Sequence, residues 1–201
     1  MGLIRSALIS WLLILSTGFS AHAGELIFDE NDPKWAVFLG PIKITEIDQI
    51  LTQLEEKKPA VLALHSYGGD VAAALKLASH VHKYKIKTFV AELSFCASAC
   101  SLVFMGGAER LAEGILSVHQ ARPIGENQEI LVRQDMAWSA IQNLIAERIR
   151  LLNSFDTPVF FYEKMLDNYK SYKFTNKELE QLNTVKTLDE LYPRNELLIY
   201  R

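Results

Sequence analysis

The order of apolar segments along the chain constrains its fold more than any other feature. Short runs with strand character alternate with segments of helical spacing, in the order strand, helix, strand, helix, strand, helix, strand. The predicted strands that frame this order are residues 35–39, 61–65, 86–90 and 115–119. Because a connection that contains a helix joins parallel neighbours, the pattern predicts an α/β layered domain with a largely parallel sheet.

After Pro123 the sequence becomes helical in character. A long amphipathic helix is predicted over residues 135–152 and a second over about 158–169. Thr175 and Glu178 have the spacing of a capping box for a third helix near residues 177–182. We expect a single domain over residues 24–201, with a helical arm at about 127–170 that serves as a lid or an oligomerisation surface.

The first residues have the pattern of an export signal. Arg5 precedes an apolar run at residues 7–15, and Ala21-His22-Ala23 places small residues at a signal-peptidase site. We expect residues 1–23 to be removed before Gly24 and the protein to be periplasmic or secreted. The apolar run is shorter than the roughly 20 residues of a spanning helix. An uncleaved anchor is the alternative, and no later segment predicts a membrane span.

Composition excludes several classes of function. With 21 Lys and Arg against 24 Asp and Glu, the net charge of −3 argues against a nucleic-acid binder. Two cysteines are too few for a disulfide-rich scaffold or a four-cysteine zinc site. His80 and His82 are two residues apart on a predicted helix, so they point in different directions. We therefore expect no metal and no cofactor.

The two cysteines, Cys96 and Cys100, are close in sequence. In an oxidising compartment they can form a disulfide that closes a short ring. The alternatives are two small buried residues, or a catalytic thiol, which an oxidising compartment disfavours. Of these three interpretations we expect the disulfide.

A Gly-Gly pair and a histidine each follow a predicted strand, at the sheet edge where α/β proteins bind ligands. Gly68-Gly69 lies between a strand and a helix, where backbone N–H groups can form an oxyanion hole. A tight turn without a ligand is the alternative. His119 ends the last predicted strand, and its alternative role is that of an ordinary core or surface histidine. His65 precedes the glycines and is a competing candidate.

Ser98 is the candidate nucleophile. It lies between Ala97 and Ala99 at a predicted loop-to-helix junction, where small neighbours leave a hydroxyl accessible. A helix N-terminus also stabilises negative charge that develops beside it. The alternative role for Ser98 is a helix cap. Other serines compete with it, namely Ser66, Ser94 and Ser101.

The ordered set of these motifs resembles a known family. Ser66-Tyr67-Gly68-Gly69 is similar to a Ser-Pro-Gly-Gly motif, with Tyr67 in place of proline, and Ala97-Ser98-Ala99 and His119-Gln120 follow in the same order. The sequence from about Trp35 to Val185 resembles the Clp protease proteolytic subunit and its relatives in the ClpP/crotonase superfamily. It is most similar to the small exported ClpP-like proteins of bacteria.

The resemblance implies a ClpP/crotonase-like layered fold built from ββα units, and a serine endopeptidase that cleaves peptides or unfolded proteins. Ser98 would be the nucleophile and His119 the general base. The N–H groups of Gly69 and Ala99, beside Gly68, would form the oxyanion hole. A homo-oligomer is expected. No ATPase partner is expected, because an exported protein has no ATP supply.

The sequence departs from the family at the third catalytic position. Counting back from the segment Phe174-Thr175 reaches Ser171 where the family has an aspartate, and the nearest acid is Asp167. Either Asp167 orients His119, or a Ser-His dyad is supported by a polar residue such as Ser171, or catalysis is weak or lost. Two other functions are the alternatives, the first indicated by the absent aspartate and the helical arm, the second by the oxyanion glycines. One is a catalytically inactive binding or assembly module; the other is a crotonase-like acyl-thioester enzyme, which export disfavours.

Overall fold

A computed structural model describes residues 24–120, 134–168 and 170–193. The predicted signal peptide and part of the predicted arm therefore lie outside the described residues. The helices and strands are β1 (Glu25–Phe28), β2 (Trp35–Leu39), α1 (Ile47–Lys57), β3 (Val61–His65), α2 (Val71–Lys83), β4 (Lys87–Val90), β5 (Phe95–Ala97), α3 (Ala99–Met105), β6 (Arg110–Ala112), β7 (Ile115–Val118), α4 (Gln134–Asn153), α5 (Val159–Asp167), β8 (Tyr172–Lys173), α6 (Asn176–Leu182) and α7 (Leu188–Leu191).

The larger sheet has five strands in the order β1-β2-β3-β4-β6. Strands β2, β3, β4 and β6 are parallel, and β1 is an antiparallel edge strand. The central strand β3 is apolar along most of its length because helices cover the sheet, and Val61 and Leu62 are fully buried. The predicted α/β architecture with a mostly parallel sheet is confirmed.

A second, smaller sheet contains β5, β7 and β8. Strands β5 and β7 are parallel, and β8 is antiparallel to β7. The two sheets meet at Ser66, directly after β3, which forms a parallel bridge with Cys96 of β5. This bridge brings the end of a large-sheet strand beside the segment that leads to Ser98.

Close packing of α2 against α3 forms the centre of the core. The Ala-rich face of α2, with Ala74 and Ala78 fully buried, lets the two helices approach closely. A Cβ atom at Gly106, at the end of α3, would lie 2.5 Å from the Ala78 carbonyl oxygen. The bulk of the core comes from larger side chains on both sides, such as Phe38, Leu77 and Phe104, each fully buried.

Most predicted boundaries are confirmed. Helix α1 begins after the N-cap Glu46, whose side chain makes no capping hydrogen bond. Residues 95–97 form the short strand β5, which the sequence analysis did not predict, and α3 begins at Ala99. The two-sheet arrangement was also not predicted. The capping box of α6 is present, with Thr175 and Glu178 bonded reciprocally.

The long predicted helix corresponds to α4, and its C-terminal part packs on the core through the fully buried Leu152. Within the described ranges, no helix is long and apolar enough to cross a membrane.

Arg110 is a buried charge that the fold itself satisfies. Its side chain is 7 % exposed, and its Nε donates to the Leu182 carbonyl at 3.2 Å. Its Nη1 lies 3.1 Å from the carbonyl oxygens of Met105 and Phe155 and 3.4 Å from that of Gly107. Desolvation lowers the pKa of this guanidinium, and the charge of Asp156 partly opposes that shift. The side chain ties α3 to the segments after α4 and α6.

Replacing this arginine should destabilise the protein. We expect Arg110→Met to lower the free energy of unfolding by about 3 kcal/mol, because several buried carbonyls lose their donor. Urea unfolding followed by circular dichroism measures the change. The control is Arg150→Met on the exposed face of α4, for which a change within about 0.5 kcal/mol is expected. Equal stability of the two variants would show that Arg110 does not tie these segments together.

Candidate active site

A small pocket, with a cavity volume of about 20 Å³, lies between the end of β7, the first residues of α2 and α3, and the helices α4 and α5. It is lined by Val71, Ser98, Ala99, Leu102, Val118, His119, Arg148 and Met165. The structure thus places Ser98 and His119 in one pocket, as their positions after successive strands predict. In this resting arrangement no hydrogen bond joins the two side chains.

Ser98 has a backbone conformation that L-residues rarely adopt, with φ 56° and ψ −124°. Such a conformation costs about 1–3 kcal/mol and persists only where the surroundings enforce it. Its N–H donates to the Ser117 carbonyl at 2.8 Å, and its carbonyl accepts from the Ser101 N–H at 3.0 Å and from the Ser101 hydroxyl at 2.6 Å. These bonds hold the turn from both sides.

The Ser98 hydroxyl is not used as a helix cap. Ser98 occupies the N-cap position of α3, but its side chain makes no capping hydrogen bond. Among the described residues the hydroxyl has no other hydrogen-bond partner. It is partly exposed and faces the pocket lining, so it is available for contact with a ligand.

A disulfide joins Cys96 in β5 to Cys100 in α3, and Ser98 lies within the ring that it closes. Both cysteines are fully buried, and neither is free. The predicted bridge is confirmed, and the alternatives of two unlinked cysteines or a catalytic thiol are excluded by this bond. In chain-entropy terms, so short a ring stabilises by about 2 kcal/mol.

The glycine turn packs directly against the Ser98 junction. Gly68 has φ 92°, and a Cβ atom there would lie 2.6 Å from the Ala97 carbonyl oxygen and 2.9 Å from the Ser98 Cβ. Only glycine fits both the conformation and the space. Gly69 has φ 147°, and a Cβ atom there would lie 2.2 Å from the Ile42 carbonyl oxygen.

Two backbone donors at this junction have no acceptor. The Gly68 N–H donates to the Ser66 hydroxyl at 3.0 Å, so it is already used. The N–H groups of Gly69 and Ala99, in contrast, have no hydrogen-bond acceptor among the described residues. Ala99 is buried and lines the pocket, and a buried N–H without a partner is rare in folded proteins. Gly69 is exposed, so water can accept from its N–H. The first residue of α3 therefore keeps one buried donor free beside the pocket.

The ring of His119 is oriented by the neighbouring backbone. His119 directly follows β7, and its Nδ1 lies 2.6 Å from the Gln120 carbonyl oxygen. Because a carbonyl oxygen only accepts, we assign the hydrogen to Nδ1, which leaves the Nε2 lone pair free.

The end of α5 fixes Gln120. The Gln120 N–H donates to the Asn168 carbonyl at 2.9 Å, and its side-chain Nε2 donates to the Leu166 carbonyl. Asp167 lies between these two residues, but its side chain is exposed, as is that of Ser171. Neither side chain hydrogen-bonds to His119 in the part of the chain that the structure describes. Neither candidate for the third catalytic position thus hydrogen-bonds to the histidine.

Arg148 is the pocket residue that the sequence analysis missed. It is 3 % exposed, its Nη1 lies 3.6 Å from the Met165 sulfur, and its Nε has no hydrogen-bond partner. Desolvation lowers the pKa of its guanidinium. A signal was present in the sequence, since Arg148 shares one helical stripe with Leu144 and Leu152, which pack on the core.

The other three histidines with described positions do not line the pocket. The ring of His65 packs on Phe95 at 4.1 Å between centroids, and the rings of His80 and His82 pack on Tyr84 and Phe155. Among the residues with described positions, no group of three or more His, Cys, Asp or Glu side chains could hold a metal ion.

No family model matches the sequence, and a comparison with curated proteins also finds no match. The function of the pocket therefore has to be inferred from its own residues.

The close packing of the glycine turn predicts a sharp local effect of a single methyl group. We expect Gly68→Ala to displace residues 97–99 and to change the environment of Ser98, because the added Cβ has no space against the Ala97 carbonyl. Chemical shifts of these residues in an NMR spectrum measure the displacement. Gly40→Ala is the control, since Gly40 also has a positive φ, of 89°, but lies in the turn after β2 and not at the Ser98 junction. Shifts of Ser98 that are equal in both variants would contradict the packing described.

Proposed function

We propose that this protein is an exported serine peptidase of the ClpP-like type that cleaves peptides or unfolded proteins. The observation that carries the proposal is the pocket shared by Ser98 and His119, in which the serine hydroxyl is free and held on a strained turn. Active-site nucleophiles often lie on such turns. The order of motifs that resembles the ClpP family supports the same reaction class.

In the proposed reaction, the Ser98 hydroxyl oxygen attacks the carbonyl carbon of a peptide bond while His119 Nε2 accepts the hydroxyl proton. The carbonyl oxygen becomes an oxyanion that the N–H groups of Gly69 and Ala99 stabilise, with about 3–4 kcal/mol per donor in known cases. The C–N bond then breaks, and His119 gives its proton to the leaving amine. Water then attacks the acyl ester with His119 again as the base. The ester C–O bond breaks, and the Ser98 hydroxyl is restored.

We propose a Ser-His dyad, in which the Gln120 carbonyl takes the orienting role that a carboxylate has in a triad. The carbonyl accepts the Nδ1 hydrogen and so selects the tautomer in which Nε2 is the base. A neutral carbonyl stabilises the imidazolium ion less than a carboxylate does. A slower enzyme than a triad protease is the expected consequence.

The disulfide supports a working site outside the cytoplasm, since such bonds persist in oxidising compartments. There the enzyme would have no ATP-driven unfolding partner. Its substrates would then be peptides or chains that are already unfolded.

A serine-directed fluorophosphonate tests the proposal. We expect the probe to label the wild-type protein at Ser98, and Ser98→Ala to abolish labelling. His119→Gln should slow labelling by a factor of about 100 or more, because the general base is lost. Intact-mass and peptide mass spectrometry measure the extent and the position of modification. Labelling that persists in Ser98→Ala would overturn the assignment of the nucleophile.

The dyad predicts that Asp167 contributes little. We expect Asp167→Asn to change the labelling rate by less than about 10-fold, whereas loss of a triad aspartate costs about 10⁴ in turnover. The labelling rate, measured by mass spectrometry as above, distinguishes a Ser-His dyad from a triad that uses Asp167. Asp167→Asn and Ser171→Ala form a matched pair, and a large loss in one of them would identify that residue as the orienting group in place of the carbonyl.

A binding or assembly module is the second candidate function, favoured because no carboxylate among the described residues hydrogen-bonds to His119. It predicts no labelling of Ser98 by any of several phosphonates and no cleavage of a peptide library. Those results, together with a stable partner recovered with the full chain, would replace the peptidase proposal.

A further inference from the structure

The chain contains two buried arginines in the described residues, and the fold explains only one of them. The guanidinium of Arg110 meets four backbone carbonyl oxygens. That of Arg148 is more deeply buried, at 3 % exposure, yet its single hydrogen-bond contact is a thioether sulfur, which is a weak acceptor. No carboxylate among the described residues lies within ion-pair distance of it.

A buried guanidinium without an anion is costly, because an arginine stays charged in proteins. Arg148 lines the same pocket as Ser98 and His119, so the charge is adjacent to the proposed reacting atoms. The rest of the lining is mainly apolar, with Val71, Leu102 and Val118 among its residues. An anion bound against this guanidinium would supply the partner that its buried Nε lacks, in surroundings of low polarity where charge-assisted hydrogen bonds are strong.

We propose that Arg148 binds a carboxylate of the substrate inside the pocket, so that the protein selects peptides with a negative charge beside the cleaved bond. This proposal rests on the proposed function. The carboxylate has two possible sources, an acidic side chain on the residue whose carbonyl is attacked, or the free C-terminus of a short peptide. Both present the same planar group to the guanidinium fork.

Two matched pairs of small ligands test the binding without any catalysis. N-acetyl-glutamate amide against N-acetyl-glutamine amide isolates a side-chain carboxylate, and N-acetyl-alanine against its amide isolates a terminal one. We expect the carboxylate member of at least one pair to bind about 10- to 100-fold more tightly in NMR titrations of the full chain. Equal binding within both pairs would overturn the proposal.

Three variants show whether the tighter binding of the carboxylate ligand depends on Arg148. Arg148→Met should abolish the preference within the pair, and Arg148→Lys should keep a reduced preference because the charge remains without the planar fork. Arg150→Met, two residues away on the exposed face of α4, should keep the full preference. Arg148→Met should unfold no more easily than wild type, in contrast to Arg110→Met. If it does not fold, the lysine variant and the ligand pairs on wild type decide the question. A preference that survives Arg148→Met would overturn the proposal.

A further pair of probes separates this proposal from the peptidase itself. Diaryl phosphonates with a Glu or a Gln side chain differ by one charge and react with an activated serine. Labelling of Ser98 by both at equal rates, with no preference in either ligand pair, would support the peptidase and overturn the role of Arg148. Labelling by neither, with a carboxylate preference that depends on Arg148, would overturn the peptidase and keep the carboxylate site.

Discussion

Ser66 joins the two sheets, and both halves of the candidate site depend on it. It lies directly after β3, and it is 1 % exposed. Its N–H donates to the Phe95 carbonyl, and its carbonyl accepts from Ala97, each at 2.9 Å. Its hydroxyl accepts the Gly68 N–H. The strand that leads to Ser98 and the turn that carries the free Gly69 donor are therefore fixed to one buried residue, so neither can move without the other.

The conformation of Ser98 is held by covalent and non-covalent restraints together. The disulfide closes the chain around it, and hydrogen bonds from Ser117 and Ser101 clamp its peptide groups. The free energy by which each restraint stabilises the fold is similar in size to the cost of the strained Ser98 backbone. The hydroxyl is left free because the backbone, and not the side chain, makes these contacts. A rigid turn of this kind needs no reorganisation when a ligand arrives.

The layered fold could be predicted because its strands are apolar and its helices amphipathic, as β3 and α2 illustrate. The meeting of Ser98 and His119 could be predicted because Ser98 comes after the predicted strand 86–90 and His119 ends the next, 115–119, and the carboxyl ends of these successive strands share one edge of a parallel sheet. The short strand β5 could not be predicted from the sequence, because its three residues pair with partners far away in the chain. The Gln120 carbonyl beside the His119 ring also has no signature, because every residue has a carbonyl. Arg148 was missed although its position on an apolar stripe marked it.

The disulfide also affects how the protein reaches its native state. A ring this short brings its ends together in well under a microsecond in an unfolded chain, whereas the bridge of Ser66 to Cys96 must join distant segments. The sequence contains two cysteines, so only one intramolecular pairing exists. Oxidation can then precede the assembly of the sheets without producing a wrong isomer. Maturation of the turn that carries Ser98 thus requires an oxidant but no disulfide isomerase.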